Sequence, residues 1–485
     1  MLPAGSAADP ALVTSFVPAG DADWDSMATD VEAHSRYGES VASAGNVDGY
    51  HGDDILVGAP KDDTLDGGGV AYLYLSTAGG GLDTTAVWKT SEGLGGGSFG
   101  SAVAGAGDVN DDGLDDAIIG AVEYKAELII NDVPKEVKVG GAFVYEGVQG
   151  VGLSDEPIWS YTGTVQEGEF GYAVAGAGDV NGDEIDDIVV GARSYTDQPD
   201  DSERNEGAVY VFFGSDPGGP SAEPDWLIDS DQAGAWLGAA VSAVGDVNDD
   251  GYDDLIVGAP KYTNPATGEH EGAIFLLLGG ESQPTGYAWI AYGGLDGARF
   301  GTTVAGAGDV NGDGHPDVVV SAPGYLSPWD DALVGAAFAF CGNGAGFGSE
   351  PCWVAYGGQP GGGFGASAGA AGDVNGDGFD DAIVGAPTYL PDPDTGFEGA
   401  AFLYFGSATG LSPLAGWKAA GNRARTDFGW AVGSAGDVDS DGSDGVIIGA
   451  PQFFQSGTAY GAAFVFYGPL EPAEMYRTFL PLVVR

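Results

Sequence analysis

A nine-residue pattern, Asp-x-Asn-x-Asp-Gly-x-x-Asp, recurs along the chain with oxygen-bearing side chains at alternate places. It reads DVNDDGLDD at 108–116, DVNGDEIDD at 179–187, DVNDDGYDD at 246–254, DVNGDGHPD at 309–317 and DVNGDGFDD at 373–381. Hard cations such as Ca²⁺ take about six to eight oxygens from carboxylates, amides and backbone carbonyls. Positions 1, 3, 5 and 9 offer side-chain oxygens, and position 7 offers a carbonyl. The predicted ligands are therefore Asp108, Asn110, Asp112, Leu114 and Asp116, then Asp179, Asn181, Asp183, Ile185 and Asp187. The next two sets are Asp246, Asn248, Asp250, Tyr252 and Asp254, then Asp309, Asn311, Asp313, His315 and Asp317. The fifth is Asp373, Asn375, Asp377, Phe379 and Asp381. Gly at position 6 permits the sharp bend; Glu184 stands there in one copy, which predicts strain in that turn.

Two copies are altered. NVDGYHGDD at 46–54 begins with Asn46 and has Tyr50 at position 5. DVDSDGSDG at 437–445 keeps Asp437, Asp439 and Asp441 but ends in Gly445, so Asp444 or water has to complete any shell. Calcium is expected at the five intact loops and at up to seven in all. Mg²⁺ keeps its waters and rarely enters an all-protein cage. No Cys or His recurs at these places, which speaks against zinc and copper. Ile119 stands where an EF-hand needs Glu, and a strand rather than a helix follows. Asp, Asn and Gly also make good turns. Carboxylates gathered this closely in several copies repel one another unless a cation neutralises them.

The elements that must hold these loops repeat with them, roughly every 65 residues. An aromatic-Gly pair precedes each loop (Tyr37, Phe99, Phe170, Phe300, Phe364 and Phe428), with Leu237-Gly238 as the exception. A short apolar run and a Gly-Ala-Pro-like turn follow the loop. A variable stretch comes next, then a β-rich run and a Trp: Trp24, Trp88, Trp159, Trp226, Trp289, Trp353 and Trp417. Each unit reads as four short strands, A to D, with the loop between A and B. Strand A is rich in Gly and Ala, as suits the inner strand of a radial array. The fold class is all-β: a seven-bladed β-propeller of four-stranded blades. The last unit lacks a Trp strand while the chain begins with an orphan one, ADWDSM at 22–27. The N-terminal strand is expected to complete the last blade and close the ring, leaving no open sheet edge. Residues 1–20 then form an N-terminal tail, 21–468 the propeller and 469–485 a C-terminal tail.

The fixed order of aromatic-Gly, Asp-rich nonapeptide and Gly-Ala-Pro resembles the FG-GAP repeats of the integrin α-subunit propeller, over roughly residues 20–468. The resemblance implies calcium in hairpin loops on one face, a protein partner or surface ligand on the opposite face, and a role in cell adhesion outside the cell. Similar repeats occur in bacterial secreted proteins and in a phospholipase-type enzyme, so the fold alone does not dictate adhesion. A secreted hydrolase and a structural spacer in a surface assembly are the competing expectations. Against catalysis, the four histidines do not recur between units, and no nucleophile elbow or metalloprotease His pair is present.

Strand order puts the A–B and C–D loops on one face and the B–C and D–A loops on the other. Four residues after each Gly-Ala-Pro start stands an aromatic: Tyr124, Tyr195, Tyr262, Tyr325, Tyr389 and Phe453, with Asp62 as the exception. These side chains either pack between blades or offer a partner platform, flanked by the long segments 122–140 and 193–207. The repeated Trp residues read as outer-strand packing. Cys341 and Cys352 fall on neighbouring strands, which allows either a hairpin disulfide or free thiols.

Composition narrows the partners. Across 485 residues there are 73 acids against 15 Lys and Arg, a formal charge of −58, and 88 are Gly. Hydrophobic residues, at 43%, suffice for a large core. Nucleic acid and anionic membranes need clustered bases and are excluded as main partners. No apolar run is long enough for direct membrane insertion, and the opening MLPAGSAADPALV shows no secretory leader. The apolar segment 474–485 reads as an added strand or a sorting tail.

Overall fold

The computed structural model describes residues 17–18, 22–26, 34–65, 68–91, 97–130, 132–197, 205–391, 396–455 and 458–470. Among them every helical or strand element is a strand, and the strands form seven large sheets. The third is typical. Phe170–Gly178, Asp187–Ala192, Ala208–Phe212 and Trp226–Asp229 pair in that order as an antiparallel meander, strands A to D of blade 3. Blades 1 to 7 have A strands starting at Ser40, Phe99, Phe170, Ala240, Val304, Ser367 and Ala431. Each A strand lies against the A strands of both neighbouring blades, the first against the last, so the sheets form a ring.

Burial explains the sequence of each strand. The B strands, such as Asp116–Ala121 and Asp187–Ala192, are buried along their whole length, and so are the C strands. Both of their faces meet a neighbouring blade, so they read as continuous apolar runs without polar alternation. The core is accordingly a set of wedges between blades. Ile118 and Val144 of blade 2 share one with Ile188, Val190 and Tyr210 of blade 3. The outer Trp of one blade packs edge-on against strand C of the next: Trp88 on Tyr145 and Trp159 on Phe212, at 5.0 and 4.8 Å between centroids. Their indole N–H groups donate to carbonyls of the next blade's C–D loop, Ser154 and Ser221. The Trp residues are thus inter-blade packing, as their recurrence predicted.

Ring closure follows the expectation. Trp24–Ser26 pairs antiparallel with Ala463–Val465 as strand D of blade 7. Trp24 Nε1 then donates to the Asp83 carbonyl of blade 1. Two features were not foreseen. Val17–Pro18, placed in the N-terminal tail, pairs parallel with Ala419–Ala420 at the outer edge of blade 6. The segment 122–140 carries a hairpin of its own, Lys125–Ile130 with Val133–Lys138. Cys341 and Cys352 are joined in a disulfide from the end of strand C to the start of strand D in blade 5, with Cα atoms 5.9 Å apart. The segment 474–485 lies outside the described residues, and among those residues no helix is long and apolar enough to cross a membrane.

Candidate metal loops and the opposite face

The A–B loops fold on their own carboxylates. In blade 2, Asp108 accepts the N–H of Asp112 on one oxygen and that of Gly113 on the other, and Asp112 accepts from Leu114. The same set recurs around Asp179, Asp246, Asp309, Asp373 and Asp437. Position 6 is left-handed throughout, and Glu184 takes φ of +70° there, the strain its sequence position predicts. Position 4 is left-handed too, including Asp111, Asp249 and Ser440.

Position 9 is the buried anchor. Asp116 is inaccessible to solvent; it accepts from Val109 N on one oxygen and from Gly147 N, beyond strand C, on the other. Asp187, Asp254, Asp317 and Asp381 repeat this, as does Asp54 in the altered first loop. Burial first, and then Asp112 and Asp108, push the Asp116 carboxyl up to about 7 against the pull of its two amide bonds. Asp187 reaches about 8 and Asp254, Asp317 and Asp381 about 7 for the same reasons.

The donor set suits a hard cation. Asn110 Oδ1 in blade 2 is buried and accepts no hydrogen bond, and neither does Asn46 Oδ1 in the first loop. The altered seventh loop is the tightest: oxygens of Asp437, Asp439 and Asp441 lie within 4.8 Å of one another, the one such trio among the described residues. Burial raises Asp439, and Asp441 and Asp437 add to it. In the five intact loops the carboxylates do not converge that closely, and Asn occupies the middle place.

Position 8 has a role that the ligand count overlooked. Asp186 Oδ2 of blade 3 accepts the N–H of Asp108 in blade 2, and its own N–H donates to the Asp108 carbonyl. Asp253, Asp380, Asp444 and Asp53 make the same two-way latch to Asp179, Asp309, Asp373 and Asp437, the last closing the ring. Asp115 contributes its carboxylate to Asn46 N. Asp444 is thereby engaged with blade 6, so it is not free to complete the seventh shell. The Gly before each loop makes room for this: at Gly107, with φ of +74°, a Cβ would stand 2.2 Å from Asp186 Oδ2. The signal was available, since an acid stands at position 8 in every loop except at Pro316. Position 7 lies beside the preceding loop as well; His315 Nδ1 is 3.8 Å from Asp249 Oδ1.

The six aromatics of the opposite face pack against the apolar wedges between blades, the first of the two expectations. Each packs onto strand C of its own blade, Tyr262 on Phe275 at 5.1 Å and Tyr195 on Tyr210 at 6.1 Å marking the range. Tyr124, Tyr325, Tyr389 and Phe453 meet Phe143, Phe338, Phe402 and Phe464 in the same way. In blade 1 Asp62 takes the place and accepts from Tyr72 Oη at 2.6 Å. The five tyrosines are half-buried and Phe453 is buried.

Comparison with known proteins agrees with the repeats. A family model described as FG-GAP repeat matches residues 170–212, 237–277, 300–328 and 364–404, in blades 3 to 6. The chain is 30% identical to integrin alpha-5 of Xenopus laevis over 251 residues, 50% of this chain and 22% of that protein. It is 35% identical to integrin alpha-IIb of Mus musculus over 177 residues, 35% of this chain and 16% of that protein. Integrin alpha-PS2 of Drosophila melanogaster is 35% identical over 179 residues, 34% of this chain and 12% of that protein. The chain thus carries FG-GAP repeats like those of integrin α subunits, and the matched part spans less than a quarter of each of these relatives.

Proposed function

We propose that this chain is a calcium-loaded propeller acting outside the cell as an adhesion or protein-interaction module. Ca²⁺ is held by the A–B loops, and a protein partner is met by the opposite face. The supporting observation is the buried, unpartnered Oδ1 of Asn110, in a loop whose other donors are carboxylates around a buried Asp116. A buried acceptor without a donor costs about 1–3 kcal/mol, and a hard cation answers it. Asp108, Asn110, Asp112, the Leu114 carbonyl and Asp116 would hold the ion, with the matching residues in the other intact loops. In the seventh loop the trio Asp437, Asp439 and Asp441 would do so. Bound there, the ion cancels carboxylate repulsion and fixes the loops through which neighbouring blades are latched.

The adhesion part rests on likeness to integrin α subunits, over the repeats alone. The test is calorimetry of the chain with and without chelator, alongside metal analysis of the same sample. Bound calcium at about five or more per chain, expected from the intact loops, and a melting temperature that falls on chelation support the reading. Metal-free protein that melts at the same temperature overturns it. Partner binding is tested by capture from cell-surface extracts with and without exchange of exposed side chains on the opposite face, such as Trp329.

A further inference from the structure

Positive charge in this chain is segregated. Among the described residues every Lys and Arg lies on a B–C or D–A connection, the face opposite the acidic loops, except Lys89 and Lys418 in D strands. The densest group surrounds Trp236, on the connection entering blade 4. Lys261 Nζ stands 3.2 Å from the indole centroid and Arg193 Cζ 4.8 Å, and Arg193 also lies 3.7 Å from the Tyr172 centroid. Arg193 is answered by Glu169, at 2.6 Å. Burial would raise Glu169, but the bonds from Arg193 and Ser194 hold it below its ordinary range. Lys261 and Arg299 are exposed, and among the described residues neither forms an ion pair. The turn that carries Lys261 runs against the connection that carries Arg299: a Cβ at Gly258 would stand 2.2 Å from the Gly301 carbonyl, and one at Gly301 3.3 Å from Ala259 N. Desolvation first, then Arg299 and Arg193, draw the Lys261 ammonium below its usual range.

Trp236 fills a slot that is left-handed in every blade, with φ of +63°; Arg36, Ser98, Glu169, Arg299 and Asp427 stand in it elsewhere and Gly363 once. A left-handed L-residue costs about 1–2 kcal/mol relative to glycine, so replacing the indole by glycine carries no backbone penalty. The indole forms an apolar surface beside Lys261 and the already paired Arg193.

We propose that Lys261, against the indole of Trp236, and Arg299, on the adjoining connection into blade 5, form a binding site for a carboxylate presented by an acidic protein partner. This rests on the reading that the face opposite the loops meets a partner, and gives that partner its chemistry. Cations without internal counter-charges in a chain of formal charge −58 supply the complementarity. The arginine fork matches a carboxylate in two bonds, and the lysine adds a point charge. The indole accommodates the methylenes of a Glu side chain. Acidic partners are repelled from the rest of this surface, which restricts where they dock.

The test is calorimetric titration of the full chain, in calcium, with a capped oligoglutamate peptide and with a capped oligoglutamine peptide. Oligoglutamate is expected to bind, more weakly as salt rises, and oligoglutamine not to bind. The Lys261→Gln/Arg299→Gln double variant should bind about tenfold more weakly or worse. Trp236→Gly should also bind more weakly while melting at the same or a higher temperature, which separates lost binding from lost folding. No binding, or equal binding by the double variant, overturns the proposal. Inorganic phosphate that binds this pair and is not displaced by oligoglutamate overturns the carboxylate assignment. Self-association in sedimentation that the double variant abolishes puts a second copy in the partner's place and overturns it too. Capture of surface proteins that survives the double variant but is lost with Trp329→Ser overturns this site alone and leaves the partner-face reading standing.

Discussion

Glu184 shows how a single residue reveals what its loop requires. Position 6 is left-handed in every copy, and the other intact copies place glycine there; Glu184 adopts φ of +70° under the constraint of its neighbours. Its N–H still donates to Asp179, so the turn forms at the expense of backbone strain. Glu184→Gly should therefore stabilise the calcium-bound protein by about 1 kcal/mol, read from the denaturant midpoint. A loss of stability would mean that the Glu184 carboxylate contributes more than its backbone costs. This strain was legible in the sequence because glycine marks the slot in the sister loops. The work of position 8 was not. A carboxylate beside a ligand set looks like one more ligand, and only the packing of blade on blade shows Asp186 bonded to the Asp108 amide of its neighbour. The Trp236 slot was equally hidden, since the residues filling it share a backbone angle and no chemistry.

At the scale of the element, six of the seven A–B loops are tied to the sheet by one buried carboxyl, and that gives them a pH dependence. Asp54, Asp116, Asp254, Asp317 and Asp381 are raised to about 7 and Asp187 to about 8, with burial as the largest cause in each. A carboxyl whose pKa is higher folded than unfolded binds its proton more tightly in the folded state. The stability it adds is complete below the unfolded value near 4 and is lost as pH rises through the folded value. Calcium-free protein should thus melt at a higher temperature at pH near 5.5 than near 8, and saturating calcium should close or invert that gap by favouring the ionised form. Melting curves in chelator and in calcium, at both pH values, check this; a melting point that climbs with pH in chelator would contradict it. The loops and strands were readable because their residue types recur. The hairpin Lys125–Ile130 with Val133–Lys138 occurs once, in a variable stretch, so no repeat announced it.

The whole molecule is a ring, and a ring opens at its weakest joint. Six of the seven junctions carry a position-8 carboxylate latch, including the one between Asp53 of blade 1 and Asp437 of blade 7. The junction of blades 4 and 5 has Pro316 instead, which has neither the carboxylate to accept from Asp246 N nor an N–H to donate back. The receiving site is intact: Gly245 keeps φ of +75°, and a Cβ there would meet only Pro316, its Cγ at 3.5 Å and its Cβ at 3.8 Å. Nearer the axis, Gly306 N donates to Ser242 Oγ at 3.1 Å, so the strands still touch while the rim is unlatched. The place where the ring closes without a peptide link lies inside blade 7, where Trp24–Ser26 pairs with Ala463–Val465. The joint of that blade to blade 1 is latched at its rim and tied by Trp24 and by Tyr467 Oη accepting from Leu82 N. The Asp246 amide should exchange hydrogen faster than those of Asp108, Asp179, Asp309, Asp373 and Asp437. Pro316→Asp should slow it to the level of the others and raise stability by about 1.5 kcal/mol, the lower end for a hydrogen bond to a charged group. Exchange that is fastest at Asp437 instead would place the weak joint at the chain termini and make the N-terminal strand, not Pro316, the point where the ring yields.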